Sequence, residues 1–590
     1  MKTPKVNPQI IQIHGDLIAL VTVAARDANY LPTLEAKLRL VEQHGWDKLA
    51  QALRNVVKGE RKTNTLGNLG AEGRAIVKAI VQSIADPSAL AMDRLHRGHL
   101  LMQQGRHQEA EALFRQACAL QPDSIDAHNL LGMALHNQRR FPEAGQAYTK
   151  SLELNPRQPP IRVNLGIVFH EQKRIDEAAN QFERALDLNP DDLEAIAHLA
   201  YLREQTYQLD EAQSLVERGL ALAPQKRALW LVKSKLLQRD GRLTEAVEAL
   251  EQARQADMDS SLLGEIHARL GYLYDRLNDP DNAYRNFCAG NKVAARRHAQ
   301  QGSDKNHYRR QMADIASLIE GVSPAEIPAS QRLDGTDSPV FLVGFPRSGT
   351  TLLNQILDSH PRVQGMEEKP AVYSMVKHFM ELTHGRPRQL VDVSDAEIDG
   401  LRQTYFDTVA QHIERRPDAI LVDKFPLNIA FIPIMWRVFP DARYLLALRH
   451  PCDACLSCFM HTFEINSAMA NFLTLEDSVS LYAELMKNWH SYTTRLGIEF
   501  QPVKYENLVT DFKDEATRLF DFLGVGWDEA VTKHTENARK RGLINTPSYD
   551  QITQPIYQHA AYRWLRYAEQ FRPHLDAIRP HIESFGYPSP

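Results

Sequence analysis

The residues best suited to chemistry lie in Val340-Phe-Leu-Val-Gly-Phe-Pro-Arg-Ser-Gly-Thr-Thr351. Val340 to Val343 is a short apolar run that predicts a strand of a parallel sheet. Gly344 and Gly349 bracket a tight loop, and Thr350 to Leu357 continue with helical character. Such a loop aims backbone N–H groups and a helix N-terminus at one spot, which suits a phosphate or sulfate. The spacing Gly344-x4-Gly349 is that of a nucleotide-binding P-loop, but Thr350 stands where the hydrolysing motif carries lysine. Arg347, inside the loop, supplies the positive charge instead. The loop is expected to grip an anion while lacking the usual equipment for hydrolysing ATP.

A second constellation is Tyr444-Leu-Leu-Ala-Leu-Arg-His-Pro-Cys-Asp-Ala-Cys-Leu-Ser457. Here a strand-like run ends in Arg449, and Ser457 follows eight residues later. Arginine offers phosphate a planar fork, and a hydroxyl early in the next helix can reach the same group. The strand-like runs Val340–Val343, Ala419–Val422, Tyr444–Leu448 and Pro502–Tyr505 alternate with helical ones. That alternation predicts an α/β domain with a parallel sheet and ligand sites at the strand ends.

These residues resemble the sulfotransferases that use 3′-phosphoadenosine 5′-phosphosulfate (PAPS) and share a P-loop fold. Phe345-Pro-Arg-Ser-Gly-Thr-Thr351 resembles their 5′-phosphosulfate loop, which implies cofactor contacts from Pro346, Arg347, Ser348, Gly349, Thr350 and Thr351. Arg449 and Ser457 resemble the pair that binds the 3′-phosphate. Within the family, the tyrosylprotein sulfotransferases and their bacterial relatives are the nearer match. Met366-Glu-Glu-Lys369 resembles the segment whose first glutamate is the general base, which implies Glu367, with Glu368 the alternative. Asp423-Lys-Phe-Pro426 resembles the segment whose lysine steadies the transferring group, which implies Lys424. Val503-Lys-Tyr-Glu-Asn-Leu508 implies an adenosine contact at Tyr505. Ser548-Tyr-Asp-Gln-Ile-Thr-Gln-Pro-Ile556 and Arg563-Trp564 resemble the C-terminal segment that closes over the cofactor, with Ser548 a contact. Two positions depart from the animal enzymes: Gln554 replaces a lysine, and His461 stands where a second arginine would help hold the 3′-phosphate.

The resemblance implies in-line transfer of a sulfuryl group to an acceptor hydroxyl, foremost a protein tyrosine, or else to a glycan, small alcohol or amine. Arg347, Lys424 and the loop N–H groups would stabilise charge on the non-bridging oxygens and the leaving phosphate. A free glutamate titrates near ~4.3 and a phenol near ~10, so Glu367 can take the proton only as transfer makes it acidic, or with burial raising its own pKa. No metal is required. A kinase or NTPase is the alternative, because Ala419-Ile-Leu-Val-Asp423 has the shape of a strand that presents magnesium to Asp423. An inactive scaffold is another, which the intact set of site residues disfavours. Cys452-x2-Cys455-x2-Cys458, followed by His461, suggests zinc or an iron–sulfur cluster. Three-residue steps on a helix drift by about 60° each, which is poor chelating geometry.

The rest of the chain is read from its periods. Pro122, Pro156, Pro190 and Pro224 recur every 34 residues, as do Ala110, Ala144, Ala178, Ala212 and Ala246. Gly98, Gly132, Gly166, Ala200 and Ser234 form a third small-residue column. Phe114, Tyr148, Phe182, Val216 and Leu250 follow each alanine by four. This is the tetratricopeptide signature. A sixth repeat, Gly271, Ala283 and Phe287, follows with a slip of three residues. The expected organisation is a helical region over 1–88, an all-α tetratricopeptide superhelix over 89–295, a linker over 296–337 and the α/β domain over 338–590. The concave face of the repeats is expected to bind a protein or peptide.

Composition sets the frame: 590 residues allow several cores, with 43% hydrophobic and 24% charged residues. A net charge of −5 argues against nucleic acid or a membrane surface as partner. The first residues show neither secretory signal nor membrane anchor. Five cysteines form no disulfide framework, and a cytoplasmic location is expected.

Overall fold

The computed structural model describes residues 8–60, 69–255, 262–300, 302, 304–320, 338–382, 390–533 and 561–588. They form two compact units, Met1–Met258 and Asp259–Pro590.

The first unit is helical throughout its described residues. Helices Pro8–Ala24, Leu31–Gln43, Asp47–Val57 and Ala71–Ala85 bury one apolar core. The second and third of these helices are separated at Gly45, whose φ of 81° is left-handed. Five helix pairs follow, from Ser88–Gln103 with His107–Leu120 to Arg227–Arg239 with Leu243–Gln255. The two sequence columns meet within each pair. A methyl on Gly98, Gly132 or Gly166 would stand 2.4, 2.5 or 2.5 Å from the ring of Phe114, Tyr148 or Phe182. Where Ala200 and Ser234 replace glycine, the residues sixteen places on are the smaller Val216 and Leu250. Width is thus traded between the two helices, which keeps the packing tight.

A further column was not visible as a residue type. Gly105, Arg139, Lys173, Tyr207 and Gly241 are all left-handed, and they too are spaced by 34. Asn278 repeats the feature 37 residues after Gly241, three late like the rest of the sixth repeat. The turn between paired helices therefore has one fixed conformation, filled by glycine at only two of these six places.

The second unit begins earlier than expected. Its first helices, Leu263–Arg276 and Pro280–Gln300, are the sixth repeat, and Phe287 again fills the space over Gly271. The stretch expected as a linker holds the end of Pro280–Gln300 and a further helix, His307–Ser317. Tyr308, Met312 and Ile315 of that helix, with Ala283 and Phe287, belong to one core with the sheet. Apolar residues at three- and four-residue steps, flanked by polar ones, explain why composition hid the helix.

The sheet has five parallel strands: β1 Val340–Gly344, β2 Val363–Glu367, β3 Ile420–Lys424, β4 Tyr444–Leu448 and β5 Phe500–Lys504. Their order is β2-β3-β1-β4-β5. β2 escaped the reading of apolar runs because it is an edge strand containing Gln364 and Gly365. Both faces are covered. Phe341, Met366, Leu421 and Leu446 face one core, and Leu342, Val363, Val422 and Leu445 the other. Among the described residues no single helix is long and apolar enough to cross a membrane.

Candidate functional site

Each of the five strands ends at a residue singled out for chemistry. β1 runs into the loop of Arg347, β2 ends on Glu367, and β3 ends on Lys424. Arg449 follows β4, and Tyr505 follows β5. In a parallel sheet all these ends lie on one edge, where the crossovers leave a crevice. β1 sits centrally, with β3 on one side and β4 on the other, so the loop faces both arms of the site.

The loop after β1 is shaped by close approaches. A methyl on Gly344 would stand 2.5 Å from the Ala447 carbonyl oxygen, so only glycine lets the loop leave beside β4. Gly349 caps helix Thr350–Asp358 in a left-handed conformation (φ 86°), and a methyl there would meet the Tyr505 ring at 2.8 Å. Arg347 is also left-handed, at φ 65°, which is uncommon for a residue with a side chain. Ser348, Thr350 and Thr351 are buried at the start of the helix.

The Arg347 guanidinium donates from Nε to Ser457 Oγ at 3.3 Å. Arg449 donates from Nη1 to the Arg347 carbonyl at 3.2 Å and lies over the Tyr505 ring at 5.3 Å. The structure thus joins Arg347, Arg449, Ser457 and Tyr505 into one basic corner. Ser457 belongs to helix Pro451–Met460, as do the three cysteines. Cys458 directs its thiol to the Pro346 carbonyl, and Cys455 to that of Ser478. Burial raises the thiols of all three. Among the described residues no group of three or more His, Cys, Asp or Glu could hold a metal ion. His461, just past this helix, is held neutral by burial and by the charge of Arg347, with a pKa of about 4.

On the other arm, Lys424 is fully buried beside two carboxylates. Its Nζ lies 2.7 Å from Glu367 Oε1 and donates to Glu368 Oε1 at 2.7 Å. The side chains of Glu367 and Glu368 remain 21% and 39% exposed. Register explains the first contact, because Glu367 is paired with Lys424 across β2 and β3. A left-handed turn at Glu368 (φ 48°) explains the second, by swinging the next carboxylate back to the same ammonium. The spacing of a Glu-Glu pair did not foretell that one lysine would hold both.

Asp423 points the other way. Its carboxyl is fully buried, accepts from the Tyr405 hydroxyl at 3.0 Å, and burial raises its pKa to about 7. A carboxyl enclosed against Tyr405 is not placed to present magnesium to the loop, which counts against the NTPase alternative. Two further acids support the site. Glu506 accepts from the His450 backbone N–H at 2.8 Å and from the Tyr587 hydroxyl at 3.0 Å. Asp453 accepts from the backbone N–H groups of Tyr562 and Trp564 at 2.6 and 2.8 Å. Neither acid has a sequence signature, since the partners, three main-chain N–H groups and the Tyr587 hydroxyl, are distant in sequence. Ser548 and Gln554 lie outside the described residues.

The arrangement offers a left-handed loop and two guanidinium groups on one side, and an ammonium with two carboxylates on the other. It can hold an extended, doubly anionic molecule and take a proton beside it. Residues 339–529 match the model of the sulfotransferase family, and residues 95–159 and 169–236 match models of the tetratricopeptide repeat. An uncharacterized protein of Aquifex aeolicus (strain VF5) is 23% identical over 46% of this chain and 36% of its own length. Protein-tyrosine sulfotransferase 2 of Gallus gallus is 28% identical over 38% of this chain and 62% of its own length. Protein-tyrosine sulfotransferase 1 of Danio rerio is 26% identical over 42% of this chain and 72% of its own length. The chain thus spans less than two thirds of the first two relatives.

Proposed function

Because residues 339–529 form a sulfotransferase-family domain in a chain that also carries tetratricopeptide repeats, we propose that this protein transfers a sulfuryl group from PAPS to a protein tyrosine. The repeats bind the protein or peptide that brings the tyrosine. The observation that carries this reading is the meeting of Arg347, Glu367, Lys424, Arg449 and Tyr505 at the ends of five strands. The names of the two vertebrate relatives favour tyrosine over a glycan or small alcohol.

PAPS, when bound, supplies a sulfuryl group on a good leaving group. The residues present suit it. Gly349 leaves room against Tyr505, Arg347 and the helix start offer charge and N–H donors, and Arg449 with Ser457 offers a second anion corner. Arg347 and the loop N–H groups would hold the 5′ end, and Arg449 and Ser457 would hold the 3′-phosphate. Arg449 also steadies Tyr505, whose ring would support the adenosine. Lys424 would neutralise charge on the group being transferred, and it keeps Glu367 in place through their contact. Glu367 Oε1 or Oε2 takes the acceptor proton as the new bond forms. Glu368 shares the ammonium, so loss of one carboxylate does not leave Lys424 buried without a counter-charge.

The test is calorimetric titration of the full chain with adenosine 3′,5′-bisphosphate in the absence of magnesium, beside ATP. The bisphosphate should bind more tightly, and stronger binding of ATP would overturn the donor assignment. Radiolabelled PAPS with tyrosine-containing peptides then identifies the acceptor. Glu367→Ala should retain bisphosphate binding while transfer falls by about 10²–10⁴-fold. Undiminished turnover would remove Glu367 from its role.

A further inference from the structure

The sixth repeat does more than end a series. Asp275, near the end of helix Leu263–Arg276, is buried among groups from the far end of the chain. Arg563 donates to its two carboxylate oxygens at 3.3 and 2.6 Å. Arg566 Nη2 lies 2.9 Å from Oδ1, and Arg566 Nη1 donates to the Asp275 carbonyl at 2.8 Å. The Tyr567 hydroxyl donates to Oδ1 at 2.7 Å. One carboxylate therefore gathers three side chains of the segment Tyr562–Tyr567.

The same segment is bonded to the helix of the basic corner. Asp453, in the first turn of Pro451–Met460, accepts from the N–H groups of Tyr562 and Trp564. The Trp564 ring stacks on His450 at 5.0 Å and 12°, directly beside Arg449. Tyr562 is left-handed at φ 56°, a conformation that a tyrosine keeps only when its surroundings over-determine it. The other end of the helix is also held by the sixth repeat. The Tyr272 hydroxyl donates to the Met460 carbonyl at 2.9 Å, and Asn291 donates to the Phe459 carbonyl at 3.0 Å. Phe459 packs on Tyr284 and Phe287.

We propose that Asp275 is a positioning residue for the donor's 3′-phosphate corner, acting through Tyr562–Tyr567 on the helix that carries Ser457. The inference rests on the donor reading above. The repeat meets no donor atom in this scheme. It fixes the helix at both ends, so that Ser457 stays beside Arg347 and Arg449 keeps its place after β4. Asp275→Asn removes the charge that gathers Arg563 and Arg566 while keeping the side chain's shape. Asp275→Glu keeps the charge on a longer stem.

The experiment measures the dissociation constant for adenosine 3′,5′-bisphosphate, and KM for donor and acceptor, in the full chain and both variants. Asp275→Asn should weaken bisphosphate binding by about 10-fold and raise the donor KM to match, with the acceptor KM unchanged. Asp275→Glu should recover most of that loss. Unchanged bisphosphate binding in Asp275→Asn, or an equal loss for donor and acceptor, would overturn the positioning role. If Asp275→Asn does not fold, Tyr272→Phe with Asn291→Ala removes the two bonds at the other end of the helix. That pair should weaken bisphosphate binding by about 3-fold, and no change would overturn the inference. Wild-type protein that binds no bisphosphate would instead overturn the donor reading itself, and this inference with it.

Discussion

The repeats and the sheet solve opposite problems with similar small residues. In the repeats, a glycine admits a ring from the partner helix, and the same solution recurs at Gly98, Gly132, Gly166 and Gly271. Each contact is one of several equivalents. In the sheet, Gly344 and Gly349 also admit close neighbours, Ala447 and Tyr505, but each does so once. The strand ends likewise contribute residues that occur once each, apart from Glu368, which shares the Lys424 ammonium with Glu367. Damage to the repeats should therefore cost stability in increments, and damage to the strand ends should cost function at once.

The sharpest break of this contrast is Lys424→Met. It leaves Glu367 and Glu368 facing each other without the shared ammonium. Transfer should fall by about 10²–10³-fold, as when a transition-state donor is lost, with stability reduced as well. Turnover with radiolabelled PAPS and a thermal melt read both effects, and retained turnover would show that the strand ends tolerate substitution after all. Gly132→Val comes next. Its side chain collides with the Tyr148 ring, so unfolding of the repeats should ease by about 1–3 kcal/mol while bisphosphate binding stays unchanged. A matching loss of binding would erase the distinction between the regions.

A third prediction concerns pH. Burial raises Asp423 from an ordinary carboxyl value of 3.8 to about 7, so between these values the folded protein binds the proton and the unfolded chain does not. Stability from this group is complete below the lower value and is lost as pH rises through the upper one. Asp423→Asn should flatten that decline and be more stable than wild type at pH 8, as denaturant titrations at pH 5 and pH 8 would show. A slope equal to wild type would mean another group sets it. The smallest effect is Lys173→Gly, which relieves a left-handed side-chain-bearing residue. It should stabilise the repeats by about 0.5–1 kcal/mol in denaturant unfolding, and a loss would show that the side chain, not the backbone, rules the turn.

The repeats announce themselves because one physical requirement is written five times, and so does the anion loop, where a short local pattern carries the geometry. Glu367 and Lys424 were recognisable singly, but their contact depends on the register of β2 against β3. β2 itself was hidden by Gln364 and Gly365. The left-handed turn at Arg139, Lys173 and Tyr207 left no trace in residue type, because the backbone conformation is imposed by the packing of the paired helices. Asp275 was the least visible of all. Its partners stand 288 to 292 positions later, and nothing local marks a carboxylate that waits for them.

The helix His307–Ser317, sunk into the sheet's core through Tyr308, Met312 and Ile315, bears on how such a chain can be assembled from parts. A recombination joint placed at Ser338, where the strands begin, would strip the sheet of helices that cover it and leave their apolar beds open to water. A joint nearer Met258 keeps Asp259–Pro590 together as one compact unit. The transferable cassette is thus longer than the matched family segment, because it travels with its last repeat attached.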